Sequence, residues 1–540
     1  MCVRARRLNW SLVKSYRSTT KLFQRLVLKG TMSTRSYGEA IDLLNSLQSN
    51  AASLEAVRAS GGRSSQFAIP KMLEYLERIG YQPDQLNALN IIHITGTKGK
   101  GSTSAFTDSI LRQAMPGWKV GLYTSPHMVA VRERIRIDGA PLSEVHFAKH
   151  FFEVWDRLKK NDTRAMEDTP LMPGYFRFIT LVAFRAFMEA KVNATILEVG
   201  VGGTYDITNI VPKPVVTGVT SLGLDHVAVL GTTLTEIAWH KGGIFKEGVP
   251  AYTVIQPKEG AQVLDSRARE LKSSSFTIVP LNHELDKVKL GLAGRHQLQN
   301  ASLAVSLAKE FLKKQSSFQD DQELPESFVF GLEKTSLPGR CQTVVDPKRS
   351  QVTWYLDGAH TAESLEYCIQ WFANPGVGFS SDASGHKDDK QVTRVLIFNC
   401  TSGRSGDSLL GTIRNKLIDQ LRIQCREDQP EYFFDQVIFC TNVTYAGGQF
   451  KSDSDLAATA LPNSDLEELK TQHQLAVAWS ILYPDYPPDC IHVLPSIEHA
   501  VKEVEGSKSI SDNWTQVLVT GSLHLVGGVI EVAGLSEVAL

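Results

Sequence analysis

The chain has no C-x-x-C pair, and its seven cysteines stand apart at positions 2, 341, 368, 400, 425, 440 and 490. That excludes the usual zinc patterns and points to reduced thiols in a cytosolic or matrix compartment. No uninterrupted apolar stretch reaches bilayer-spanning length, so the chain is not transmembrane. Net charge is only −1, which leaves no global field to recruit nucleic acid or an anionic membrane. Internal repeats are also absent. What remains is an ordinary globular composition, 42% hydrophobic and 21% charged, over 540 residues. That length is too great for one core and implies two domains with extensions.

One local absence is informative. Residues 1–31 contain no acid, while Arg4, Arg6, Arg7, Lys14, Arg17, Lys21, Arg25 and Lys29 are spread among Ser and Thr. Such a start resembles a mitochondrial transit peptide, with a solvated basic tail as the alternative. Met32 follows at once and offers a second, leaderless start that would leave the protein in the cytosol. The expected division is a leader over 1–36, a first domain over 37–343 and a second over 344–540.

Hydrophobic patterning predicts an α/β protein. Tyr37–Leu47 and Lys71–Ile79 read as helices around a polar segment, Ser60–Ser65. Apolar runs at Leu89–Ile94, Trp118–Tyr123, Ala194–Leu197 and Val215–Thr220 read as strands, with helical patterns at Phe151–Leu158 and Phe178–Ala190. After Pro338 a second series appears. Its strands are Trp354–Leu356, Val392–Phe398, Val437–Phe439, Ile491–Leu494 and Val517–Val519. Its helices are Leu409–Leu421, Leu466–Leu482 and Ile497–Val504. Ser380–Lys390 and Lys451–Asp455 read as surface loops. Such alternation predicts mostly parallel sheets covered by helices, with a cleft between two domains.

The segment Ile92-His-Ile-Thr-Gly-Thr-Lys-Gly-Lys-Gly-Ser102 places a glycine turn between a strand and a helix. There, backbone N–H groups and a helix N-terminus favour phosphate, and Lys100 supplies a point charge. The spacing departs from the common P-loop, because Ile94 stands where the first glycine belongs and Gly101 replaces the metal-ligating hydroxyl. The metal must therefore take other ligands, Ser102 or more distant groups, which argues against an ordinary GTPase or kinase. Three further segments carry polar residues past strand ends: Tyr123–His127 with Ser125, Glu198–Asp206, and Ser221–His226. Ligands bind beyond the carboxyl ends of strands in open α/β sheets. Oxygen donors with one imidazole suit magnesium or manganese better than zinc. Taken singly, Ser125 also suits a turn, Glu198 an ion pair and His226 a core position.

Ten stretches occur in order from about residue 92 to 528: HITGTKGKGST, YTSPHMVAVRERIRIDG, LEVGVGGTYDITN, SLGLDH, TLTEIAWHKGGIFK, GRHQLQNA, LPGRCQ, YLDGAHTAES, LIFNCTSGRSGD and VTGSLHLVGG. Together they resemble the folylpolyglutamate synthase family, a branch of the Mur-ligase-like amide ligases. Phe176-Arg-Phe178 and the basic leader resemble its eukaryotic form. The resemblance implies a P-loop ATPase domain with a mostly parallel sheet and a smaller Rossmann-like C-terminal domain that binds glutamate.

By the same resemblance, Gly96, Thr97, Lys98, Gly99, Lys100, Gly101 and Ser102 hold ATP phosphates, and Asn300, Arg340 and Asp357 contact the nucleotide. Ser125, Glu198 and His226 ligate magnesium. Lys241, carbamylated, holds a second magnesium ion, and a monovalent cation is a further implied cofactor. His240 and Gly242 flank Lys241 where the family usually has Glu and Ala. His360 and Ser522 lie near the incoming L-glutamate, and Lys100, Lys241 and His360 are the catalytic set. The implied reaction adds glutamate to the γ-carboxylate of tetrahydrofolates by way of an acyl phosphate, in a monomer. Arg132, Arg134 and Arg136 suit either the polyanionic product or the exposed face of a strand. A dihydrofolate synthase adding the first glutamate to dihydropteroate is the nearest alternative reading. A catalytically idle nucleotide-binding scaffold is the other.

Overall fold

A computed structural model describes residues 35–48, 67–315, 324–378, 392–400, 405–426, 428–447, 469–506 and 514–540. Most of the basic leader lies outside these residues. So do Ser60–Ser65, Ser380–Lys390, Lys451–Asp455 and the start of the helix expected from Leu466. Two sheets organise the described chain, one of eight strands and one of six. Among the described residues no helix is long and apolar enough to cross a membrane.

The first sheet is built from β1 (Ile91–Thr95), β2 (Val120–Tyr123), β3 (Ile135–Ile137), β4 (Ala140–Pro141), β5 (Ala194–Glu198), β6 (Val216–Val219), β7 (Pro250–Val254) and β8 (Ser275–Val279). Their spatial order is β4-β3-β2-β5-β1-β6-β7-β8, parallel except for β3 and β4. β1 is buried at all five positions, as expected of a central parallel strand covered on both faces. Register places Ile94 beside Glu198, Tyr123 beside Leu197 and Thr95 beside Val219. The carboxyl ends of β2, β5, β1 and β6 are therefore immediate neighbours.

The second sheet contains β9 (Gln342–Val345), β10 (Val352–Leu356), β11 (Val392–Phe398), β12 (Gln436–Cys440), β13 (Ile491–Leu494) and β14 (Trp514–Thr520). Its order is β13-β12-β11-β14-β10-β9, with only β9 antiparallel. The predicted strands and helices of both halves are present. Patterning missed β7, β8 and the short antiparallel strands β3, β4 and β9. β8 is half exposed, so it has no continuous apolar run to betray it. Trp118 falls outside β2 and packs edge-on against Phe311 instead.

The two halves meet closely where the loop after β2 touches the helix Leu523–Val532. A Cβ on Gly527 would lie 2.0 Å from the Met128 carbonyl oxygen, so only glycine permits this approach. Val129 shares one apolar cluster with Leu525 and Val526.

His93, in the middle of β1, is fully buried, and its Nε2 is 2.9 Å from Thr208 Oγ1. Thr208 donates its hydroxyl to Asp206 Oδ1, so the imidazole carries its proton on Nε2 and leaves Nδ1 without a partner. Burial, helped slightly by Lys246, pushes the His93 pKa down to about 3. A lowered histidine pKa gives stability that is present above pH 6.5 and lost as pH falls from 6.5 toward 3. Denaturant titrations should show the stability difference between wild type and His93→Leu changing by about 2 kcal/mol between pH 6.5 and 5. A constant difference would mean that His93 takes up no proton on unfolding.

Candidate active site

The glycine loop leaves β1 and enters the helix Lys100–Ala114. Gly99 has φ +88°, and a Cβ there would sit 2.2 Å from Asn300 Oδ1. Both the backbone conformation and the close approach of Asn300 therefore require glycine. The other side of the loop is pinned from β6: Thr97 and Lys98 N–H donate to the Ser221 carbonyl, and Thr220 Oγ1 donates to the Lys98 carbonyl.

Positive charge accumulates here. Lys100 Nζ donates to the Gly96 and Thr97 carbonyls at 3.0 and 3.3 Å, and Lys241 Nζ reaches the same Gly96 oxygen at 2.7 Å. Lys98 pairs with Asp225 at 3.4 Å. Burial lowers the Lys100 pKa despite the opposing field of Glu198. Burial, reinforced by Lys100, holds Lys241 well below the usual lysine range. Two lysine Nζ atoms on one carbonyl, with Lys98 and Arg340 close by, form a site that suits an anion.

Glu198, closing β5, is 3% exposed. Its Oε2 accepts the Ser125 N–H at 3.1 Å, and Oε1 accepts no hydrogen bond from the described residues. Burial raises its pKa to about 7, opposed chiefly by Lys100. Ser125 thus meets Glu198 through its backbone. His226 stands exposed in a left-handed turn with its N–H on Asp225 Oδ1. Glu198, a buried carboxylate with one unpartnered oxygen beside Ser125, has the donor chemistry of a hard-cation site, whereas no hydrogen bond joins His226 to either residue among the described residues. A group of metal-ligating side chains that does come together among the described residues, His150 with Glu153 and Glu189, is already neutralised by Arg185 and Lys149.

The second sheet contributes from its own carboxyl ends, where β10 and β14 are neighbours. Asp357 accepts the Cys341 N–H on Oδ2 and the Ala359 N–H on Oδ1, at 2.7 and 2.8 Å, so it also anchors its own turn. His360 donates Nδ1–H to the Gly358 carbonyl. Ser522, 3% exposed, caps the start of Leu523–Val532 without a side-chain bond. Arg340 lies against Gly358, and its field reaches both Glu198 and Lys100, while that of His360 reaches Asp225.

The exposed-strand reading of the three arginines is corrected. Arg132 and Arg134 lie in a short 3-10 turn, Val131–Arg134, and Arg134 is buried over the Tyr175 ring with Nε on His127 Nδ1. Arg136 is spent on the Glu133 and Gly139 carbonyls. Sequence reading also missed Gln297, 2% exposed, which joins Ser102 to Asn300. Its position one helical turn before Asn300 was the available signal.

The fold and loop define a class: a phosphate-loop α/β protein whose glycine loop is faced by a second, mostly parallel sheet. No family model matches the chain. A folylpolyglutamate synthase of Saccharomyces cerevisiae is 42% identical over 531 residues, covering 95% of this chain and 90% of its own. Among solved structures, the Mycobacterium tuberculosis folylpolyglutamate synthase complexed with ADP and AMPPCP superposes with TM-score 0.62 at 21% identity, over 88% of this chain and 99% of that one. Escherichia coli FolC in complex with DHPP and ADP gives 0.58 at 23% identity, over 86% and 93%. The chain belongs to the folylpolyglutamate synthase family.

Proposed function

We propose that this site joins L-glutamate to the γ-carboxylate of tetrahydrofolates at the expense of ATP, lengthening a polyglutamate tail that retains folates for one-carbon metabolism. The observation that carries the reading is the convergence of Lys98, Lys100 and Lys241 on one glycine loop, in a chain so similar to the yeast synthase. A carboxylate is a poor acyl donor, so it first takes the γ-phosphoryl group of ATP. The glutamate amine then attacks the acyl phosphate, and phosphate leaves. No nucleophilic side chain is needed. Lys100 offsets charge on the phosphoryl group, the loop N–H groups orient the nucleotide, and the cleft keeps water from the acyl phosphate.

Ser125, Glu198 and His226 would hold magnesium, which when bound supplies charge neutralisation at the phosphates. Lys241 is suited to carbamylation, since burial and Lys100 favour the uncharged amine that adds carbon dioxide with loss of a proton. As a carbamate it would become a carboxylate-like ligand for a second ion. Arg340, Asp357 and Asn300 serve the nucleotide, and His360 and Ser522 the incoming glutamate. In this reading residues 37–343 bind ATP and 344–540 bind glutamate, in a monomer. The acid-free leader supports a mitochondrial pool, and Met32 supports a cytosolic one.

The test incubates the protein from Met32 onward with MgATP, tetrahydrofolate and labelled glutamate. A ladder of folates one glutamate apart, with ADP formed in step, is expected. Incorporation only with dihydropteroate would instead establish the first-glutamate ligase. No ATP turnover with either pterin would overturn both.

A further inference from the structure

We propose that Gln297 is a positioning residue that commits Ser102 to donate its hydroxyl hydrogen to a nucleotide phosphate, and so withholds Ser102 from the metal. The inference rests on the ATP-dependent reading above. Ser102 occupies the first turn of the phosphate-loop helix and is 6% exposed. Its Oγ accepts the Gln297 Nε2–H at 3.3 Å. The Gln297 amide cannot simply turn over, because Oε1 accepts the Asn300 Nδ2–H at 2.9 Å. Asn300 is itself held against Gly99, where its Oδ1 fills the space a Cβ would take.

Gln297 thus presents a donor to Ser102, and the serine hydrogen has no acceptor among the described residues. A serine that ligates magnesium ordinarily passes its hydrogen to a protein acceptor, which is lacking here. A cation on Oγ would also oppose the amide dipole already directed at that atom. A phosphate oxygen instead accepts the free hydrogen and completes the hydroxyl.

Gln297→Glu keeps the shape but offers Ser102 an acceptor, which turns its hydrogen away from phosphate. Expected is a roughly tenfold rise in KM for ATP, with kcat within threefold and the Mg2+ activation midpoint unmoved. Ser102→Ala should raise KM alike, and adding Gln297→Glu to it should cost nothing more. Ser102→Cys should keep its preference for Mg2+ over Mn2+ and Cd2+. A shift of Ser102→Cys toward Mn2+ or Cd2+, or a lower Mg2+ midpoint in Gln297→Glu, would make Ser102 a metal ligand and overturn the proposal. So would unchanged KM in a folded, active Gln297→Glu protein. If Gln297→Glu fails to fold, the two Ser102 variants still decide. Wild type lacking ATP-dependent glutamate incorporation would refute the enzymatic reading rather than this one.

Discussion

Lys100→Met is expected to lower kcat/KM for glutamate ligation by at least about 10³-fold, on the order of 4 kcal/mol of transition-state stabilisation. The magnitude follows from position. A cation free at the water surface would be screened, whereas Lys100 is half-buried and held over the loop by the Gly96 and Thr97 carbonyls. The glycine loop should survive the change, because Lys241 still binds the Gly96 oxygen and Ser221 still accepts from Thr97 and Lys98. ADP release and product mass should therefore collapse while the thermal melting temperature moves by only a few degrees. A variant retaining a tenth of wild-type turnover would remove Lys100 from the phosphoryl-transfer step.

Glu198→Gln is expected to cost about 10²- to 10³-fold in activity at fixed Mg2+. The substitution keeps the Ser125 N–H bond but removes the buried negative charge. Its second signature is in pH. Burial holds the Glu198 carboxyl near pH 7 when no metal is bound, and a cation binds the ionised form. Protons therefore compete with metal: as pH falls below about 7, each unit should weaken apparent Mg2+ affinity up to tenfold. Above pH 7 the dependence should flatten. Mg2+ titrations of activity at pH 6, 7 and 8 measure this slope, and the Glu198→Gln variant should lack it. Equal slopes in the two proteins would assign the titration to another group.

The two residues were legible from the chain for different reasons. Lys100 sits inside a contiguous pattern of strand, glycine turn and helix, and such local patterns carry their own physics. Glu198 was legible because an acid closing an apolar strand before glycines has few uses in a core. Asn300 and Ser522 emerged only through resemblance to a family, since an asparagine in a helix and a serine before one are unremarkable by themselves. Gln297 and His93 escaped altogether. Each acts through a partner far along the chain, Ser102 at a separation of 195 residues and Thr208 at 115. The arginines after the Ser-Pro-His turn show the opposite failure. Their alternation matched a strand period, but a tight 3-10 turn buried Arg134 against Tyr175.

By itself the sequence determined the α/β class, the phosphate loop and the runs that become central strands, because period and turn chemistry act over a few residues. Tertiary structure decided which strand ends became neighbours. The order β2-β5-β1-β6 sets Ser125 beside Glu198 and pins the Gly96 loop from Thr220 and Ser221. It also decided the electrostatics: burial turned Glu198 into a group that titrates near neutrality and depressed the lysines around it. Desolvation depends on everything packed around a charge, and no stretch of sequence carries that information alone.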